Sequence, residues 1–167
     1  MLRHSSLRPD LPDLLPALKT PGLDTSRLML TTDGSSPAHI LREGHIDAMV
    51  RQLVASGVGP MAALQMATRN PALYLGKDAD FGGIGPGRAA DILVLDGPAE
   101  FPPRAVYAGG ELVAAEGVLA REMESPDWAK LGARIPYTDV SGLDPQDLLM
   151  PYVPGPVTAI SFYNSVL

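Results

Sequence analysis

The chain of 167 residues contains no cysteine. This absence excludes disulfides, thiolate nucleophiles and cysteine-based zinc sites, and it is typical of a protein kept in a reducing compartment. We therefore expect a cytoplasmic protein. Histidine is scarce as well, and only His4, His39 and His45 can supply an imidazole ligand.

Clusters of basic residues and long apolar runs are also missing. Thirteen Lys and Arg residues stand against 19 Asp and Glu residues, which gives a formal charge of -6, so we expect no nucleic-acid partner. No apolar run has the length of a membrane span, and the N-terminus is not followed by the apolar core of a signal peptide. With 46% hydrophobic residues, the chain has enough material for one domain or for pieces of two.

A lone carboxylate follows the clearest apolar run. The run predicts a strand over residues 28–32 that is covered on both faces, as in a parallel sheet, and Asp33 comes directly after it. Ligands and metals bind at the carboxyl ends of parallel strands, which makes Asp33 the leading catalytic candidate. The alternative is an ordinary turn residue, because Gly34 and Pro37 follow closely.

Helical periodicity surrounds that strand. Asp10 with Pro12 predicts a short capped helix that Pro21-Gly22 ends. Apolar residues at helical spacing predict a helix over residues 46–54, and we interpret His45 at its start as a capping or packing residue. Two shorter helices are predicted to follow. The first has Met61, Leu64 and Ala67 or Thr68 on one face, and the second has Asn70 as N-cap and Pro71 at the first helical position.

The middle of the chain has the pattern of a β region. Residues 92–95 predict a short buried strand preceded by Asp91, and Gly109-Gly110 between two apolar runs predicts a β-hairpin. Glu116-Gly117 predicts a second tight turn. Farther along, residues 143–147 predict a capped turn or short helix, and residues 157–166 a final strand.

Several of these elements resemble, in their order, the end of amidohydrolase-superfamily enzymes. The element that narrows the resemblance to the adenine deaminases is Glu43-Gly44-His45-Ile46-Asp47. The more general motifs are Thr31-Thr32-Asp33, Met66-Ala67-Thr68 with Asn70-Pro71-Ala72, Gly83-Ile84-Gly85-Pro86-Gly87, Ala90-Asp91-Ile92-Leu93-Val94-Leu95-Asp96 and Gly109-Gly110-Glu111-Leu112-Val113-Ala114.

The resemblance implies a fold and a division of the chain. The fold is α/β, with the terminal βα units of a TIM-like (β/α)₈ barrel and part of a small β-sandwich. Residues 1–79 would be the C-terminal portion of the barrel, residues 80–122 strands of the β-sandwich, and residues 123–167 an irregular extension.

The resemblance also implies a chemistry. Asp33 would end the last barrel strand, bind a divalent metal (Mn, Fe or Zn) and exchange protons with the attacking water. A purine, adenine, would be converted to hypoxanthine and ammonia. Arg3, Ser5 and Ser35 are candidate substrate-binding residues, although His4 stands where the family's Arg-Glu-Gly-Ser element has Glu, and Gly34 stands where many members have a second acidic residue.

The family's His-x-His pair is missing from this sequence, and a (β/α)₈ barrel takes about 250 residues. We therefore expect a portion of an enzyme that is inactive alone and need not bind a metal alone. We expect it to form a homo-oligomer or to associate with the missing barrel segments. Two alternatives stay open: another cyclic amide or amidine hydrolase of the superfamily, or a non-catalytic fragment that acts only in folding or assembly.

Overall fold

Two short parallel strands and the helix between them begin the fold. In the computed structural model, which describes residues 1–122, 125–128, 130–132, 141–151, 154–156 and 158–159, strand β1 is Leu2–Arg3, helix α1 is Leu11–Leu18 and strand β2 is Leu30–Thr31. Leu2 pairs with Leu30 and Arg3 with Thr31. β2 is shorter than the predicted residues 28–32, because its partner offers only two residues and the backbone turns at Asp33.

Four helices follow β2: α2 (Pro37–Glu43), α3 (Ile46–Ala55), α4 (Pro60–Ala67) and α5 (Arg69–Tyr74). The predicted helix over residues 46–54 is confirmed as α3. Helices α3 and α4 both pack against β2, so the core lies between the two strands and these helices. The buried core residues are Leu2, Leu11, Leu30, Met49, Val50, Leu53, Val58, Ala63, Met66 and Ala99.

The face predicted for α4 is confirmed in part, because Leu64 and Ala67 are half-buried against the core. Met61 is 63% exposed, whereas Ala63 and Met66 are fully buried. The three-residue spacing of Met61, Leu64 and Ala67 fits a helix, but so does the neighbouring row that contains Ala63 and Met66. Packing against α3 and β2 selects the second row.

Asn70 is not an N-cap, since it lies inside α5, for which Thr68 is the N-cap residue. Its buried side-chain amide donates hydrogen bonds from Nδ2 to the carbonyl oxygens of Thr25, at 2.9 Å, and Leu28, at 2.8 Å. Both carbonyls belong to the turn that leads into β2. Asn70 therefore ties this turn to α5, a structural role that its sequence neighbours do not reveal.

An antiparallel sheet of four strands completes the first compact unit, which includes residues 1–122. The strands are β3 (Ile92–Val94), β4 (Ala105–Ala108), β5 (Glu111–Ala115) and β6 (Val118–Leu119), paired in that order. Both predicted turns are confirmed, and the Asp91 carboxylate accepts a hydrogen bond from the Gly109 amide at 2.8 Å. The prediction that β3 is buried is wrong, because Leu93 at its centre is 49% exposed.

The second compact unit lies within residues 123–163. Its described part contains a 3₁₀ helix, Pro145–Leu148, which the predicted capped turn over residues 143–147 anticipates. Asp144 and Asp147 form a reciprocal capping box at its start. The strand predicted for residues 157–166 lies outside the described residues apart from positions 158 and 159.

In the part of the chain that the structure describes, no helix has both the length and the apolar character needed to cross a membrane.

Candidate functional site

Asp33 lies where the sequence places it, directly after β2. Its backbone takes a left-handed conformation, with φ of +44°, and Gly34 continues the turn with φ of +73°. Aspartate is one of the few side chains that adopt this conformation readily. The Asp33 amide donates a hydrogen bond to Thr31 Oγ1 at 3.3 Å, and the residue itself is exposed.

Arg3 connects the Asp33 carboxylate to a second carboxylate. Arg3 Nη1 lies 3.0 Å from Asp33 Oδ2, while Nη2 and Nε lie 2.7 and 3.1 Å from Asp10 Oδ2. The parallel pairing of β1 and β2 explains the contact, since it sets Arg3 beside Thr31, two residues before Asp33. Asp10 makes no side-chain capping bond to α1. Instead, the hydrogen bond from Arg3 lowers the pKa of Asp10, with further help from the charge of Arg8.

The start of α3 is held by a small network around Asp47. Asp47 Oδ1 accepts a hydrogen bond from the His45 amide at 2.7 Å, and Oδ2 pairs with Arg51 Nη1 at 2.6 Å. Arg51 Nη2 in turn donates to the Glu43 carbonyl at 3.2 Å. Gly44 has φ of +100°, and a Cβ there would lie 2.8 Å from Asp47 Oδ2, so the network leaves no room for a side chain. We call these residues, Glu43, Gly44, Asp47 and Arg51, the α3 clamp.

The α3 clamp directs His45 toward β2. His45 Nε2 lies 2.8 Å from Thr32 Oγ1, and Thr32 immediately precedes Asp33. His45 occupies the N-cap position of α3, as the sequence predicts, but its side chain makes no capping hydrogen bond and contacts Thr32 instead. The residues Arg3, Thr32, Asp33 and His45 thus meet at the carboxyl end of β2, and we call them the strand-tip site.

The Asp47 carboxylate gives the clamp a pH dependence. Partial burial opposes its ionisation, but hydrogen bonds from the His45 amide and Arg51 outweigh that effect and hold the pKa of Asp47 below its usual range. A lowered pKa in the folded state means that the stabilisation is fully present above the unfolded pKa of about 4 and is lost as pH falls through the folded pKa.

We therefore expect Asp47→Asn to lower the free energy of unfolding at pH 7 by up to about 1 kcal/mol, and by less at pH 3. Urea unfolding of both proteins at the two pH values measures the difference. Asp80→Asn, which changes an exposed carboxylate outside the helices and strands, is the matched control and should show no such dependence. A constant difference between wild type and Asp47→Asn at both pH values would contradict the role of the charge.

The remaining sequence candidates have other contacts. Ser5 is buried, and its hydroxyl accepts a hydrogen bond from the Arg8 amide at 3.1 Å. Ser35 Oγ donates to the Thr32 carbonyl at 3.4 Å. His4 and His39 face each other with ring centroids 6.2 Å apart, and burial, together with His39, lowers the pKa of His4.

The strand-tip site alone does not fit a metal ion. Across the described residues, no group of three or more His, Asp or Glu side chains is arranged to hold one. The Asp33 carboxylate pairs with Arg3 instead. A metal centre that used Asp33 would need ligands from elsewhere.

A mostly apolar groove of about 680 Å³ lies between α4, α5 and β3. Three polar side chains, Thr68, Lys77 and Asp91, also line it. The apolar side chains that line it include Leu64, Pro71, Leu75, Phe81, Ile84, Ile92, Leu93 and Leu95. Of these, Leu75, Phe81, Ile84 and Leu93 are exposed, which agrees with the expectation that this chain exposes apolar surface.

Comparison with known proteins gives a family and a set of relatives. The model of the amidohydrolase family matches residues 2–142. An adenine deaminase of Rubrobacter xylanophilus is 40% identical over 151 residues, which are 90% of this chain and 25% of that protein. An adenine deaminase of Cenarchaeum symbiosum is 39% identical over 140 residues, 81% of this chain and 23% of that protein.

A third relative, named adenine deaminase 3, of Rhizobium meliloti, is 34% identical over 146 residues, which are 83% of this chain and 24% of that protein. The chain therefore spans about a quarter of the length of the curated relatives it matches.

Proposed function

The chain belongs to the amidohydrolase family, and from this premise we propose that it forms part of a hydrolase that converts adenine and water to hypoxanthine and ammonia. The observation that carries the proposal is the exposed carboxylate of Asp33 at the end of β2. The name shared by the relatives favours adenine over another cyclic amide or amidine as the substrate.

The proposed role of Asp33 is proton transfer. In the reaction, the oxygen of water replaces the exocyclic amine of adenine, one proton of that water must be accepted, and the leaving amine must gain one. A carboxylate at the tip of a strand can accept and return that proton. The divalent metal of the family, Mn, Fe or Zn, would be held together with ligands that the described residues do not supply.

The proposed architecture follows the same reasoning. Residues 1–79 would contribute strand and helix units to a (β/α)₈ barrel, residues 80–122 would contribute strands to a β-sandwich, and residues 123–167 would extend beyond it. The two parallel strands β1 and β2 with their helices support the first assignment, and the antiparallel sheet supports the second. The exposed apolar groove supports association with further barrel segments or with a second copy. The absence of cysteine favours the cytoplasm as the compartment.

A transplant tests whether the strand-tip site works in a complete enzyme. We would replace the matching segment of the Rubrobacter xylanophilus relative with this chain and follow hypoxanthine and ammonia formation. We expect turnover of adenine by this chimera and none by the 167-residue chain alone, because the chain lacks a metal-binding group of three among its described residues.

The unsubstituted relative is the positive control. The matched control is the same relative with its own segment removed and reinserted by the same cloning route. A folded chimera that releases no ammonia from adenine would overturn the proposal. A folded chimera that hydrolyses another cyclic amide or amidine instead would replace adenine with that substrate.

A further inference from the structure

His45 belongs to the strand-tip site, but the proposed reaction gives it no role. The α3 clamp fixes its backbone through the Asp47 carboxylate, and α3 itself is anchored in the core by Met49 and Leu53, both fully buried. Its ring lies 2.8 Å from Thr32 Oγ1. A chain of contacts thus runs from the core through α3 and the exposed His45 to the residue that precedes Asp33.

Other hydrogen bonds hold the tip of β2 from the side of β1: the His4 amide donates to the Thr31 carbonyl at 3.0 Å, and Ser6 Oγ accepts from the Ser36 amide at 3.0 Å. From the side of α3, the described side chain that holds the tip is His45. The strand is two residues long, and Asp33 and Gly34 after it both take positive φ values. The Thr32 carbonyl accepts only a long hydrogen bond, 3.4 Å, from Ser35 Oγ. Arg3 reaches the Asp33 carboxylate from the side of β1, so the α3 side depends on the contact between His45 and Thr32.

We propose that His45 is a positioning residue, which fixes the orientation of Asp33 by holding the Thr32 hydroxyl from the start of α3. This inference rests on the proposed role of Asp33 for its functional meaning. Gly44 and Asp47 contribute to this positioning indirectly, because they fix the backbone conformation at His45.

The test is a measurement of backbone order in the 167-residue chain by ¹⁵N relaxation. In the wild type, we expect an order parameter of about 0.85 at Asp33, as in rigid backbone, and in His45→Ala a fall below about 0.6. His45→Gln, which can present a hydrogen-bonding amide to Thr32, should restore most of the order. His39→Ala is the matched control, because His39 is a neighbouring histidine on α2, and it should change nothing at Asp33.

Thr32→Val removes the other half of the contact without touching α3. We expect it to lower the order parameter at Asp33 as His45→Ala does and to shift the ¹⁵N resonance of His45 Nε2, which reports that the ring and the Thr32 hydroxyl are in contact in solution. Unchanged order at Asp33 in both variants, or an unmoved His45 resonance in Thr32→Val, overturns the inference.

The chimera separates this inference from the proposed function. If the chimera turns over adenine, His45→Ala should lower kcat more than it raises KM, and His45→Gln should recover part of the loss. If the chimera does not act on adenine while Asp33 still loses order in the two variants, the proposed substrate fails and the positioning role stands.

Discussion

Asp33→Asn in the chimera is expected to lower kcat/KM for adenine by about 10²- to 10⁴-fold, the range that general acid–base groups supply. Asparagine keeps the size of the side chain and one acceptor oxygen, but it cannot take up the proton of the attacking water. The change also removes a negative charge from the strand tip, where Asp33 faces Arg3 at 3.0 Å.

The same substitution should leave the fold almost unchanged, which makes the loss of activity interpretable. The side chain of Asp33 is 55% exposed, and exposed ion pairs contribute about 0–1 kcal/mol to stability. Arg3 also keeps its shorter contact with Asp10 at 2.7 Å. We therefore expect the midpoint of urea unfolding to move little.

Steady-state kinetics of adenine hydrolysis, with ammonia release measured alongside, checks the prediction. Asp13→Asn is the control, because it removes an exposed carboxylate from α1. A chimera with Asn at position 33 that retains the rate of the unsubstituted chimera would contradict the catalytic role of Asp33. The turn-residue alternative would then stand.

Helices, strands and turns that are determined by neighbouring residues can be predicted from local patterns in the sequence. Helix α3 follows from the spacing of Met49, Val50 and Leu53, all buried, and the β4–β5 hairpin follows from two adjacent glycines with positive φ. The position of Asp33 follows from an apolar run with turn residues after it. These signals are short-range, so a single sequence contains them completely.

The elements that the sequence does not predict depend on contacts between distant residues. Strand β1 has only two residues, and its pairing with β2 alone defines it. Helix α2 buries none of its residues and therefore has no apolar periodicity. The ion pair of Arg3 with Asp33 joins residues 30 apart, and the hydrogen bond of Asn70 to Leu28 joins residues 42 apart.

The strand-tip site divides in the same way. Asp33 can be predicted as a candidate because functional residues often lie at the ends of parallel strands. The position of His45 depends instead on a hydrogen bond between its ring and Thr32, 13 residues earlier in the sequence. One local signal was present in the Glu-Gly-His-Ile-Asp element: a glycine followed three residues later by an aspartate, in front of an apolar helix. The structure explains that spacing, because a Cβ at position 44 would lie only 2.8 Å from the Asp47 carboxylate.

Leu53→Ala is the substitution from which we expect the largest loss of stability, about 2–5 kcal/mol in the free energy of unfolding. Leu53 is fully buried on α3, in the core that α3 and α4 form against β2. Truncation to alanine removes three carbon atoms from that core and leaves a cavity that the neighbouring helices fill only in part. Because α3 also supports the clamp and His45, the loss should spread to the strand-tip site before the chain unfolds.

Urea unfolding of the 167-residue chain, followed by circular dichroism, measures the effect. Leu41→Ala is the matched control, because the same side chain on α2 is 89% exposed, and its loss should change stability by no more than about 0.5 kcal/mol. The two substitutions remove the same atoms, so the difference between them reports burial alone. Equal midpoints for both variants would show that α3 does not pack in the core as the structure has it, and the support it gives to His45 and Asp33 would fail with it.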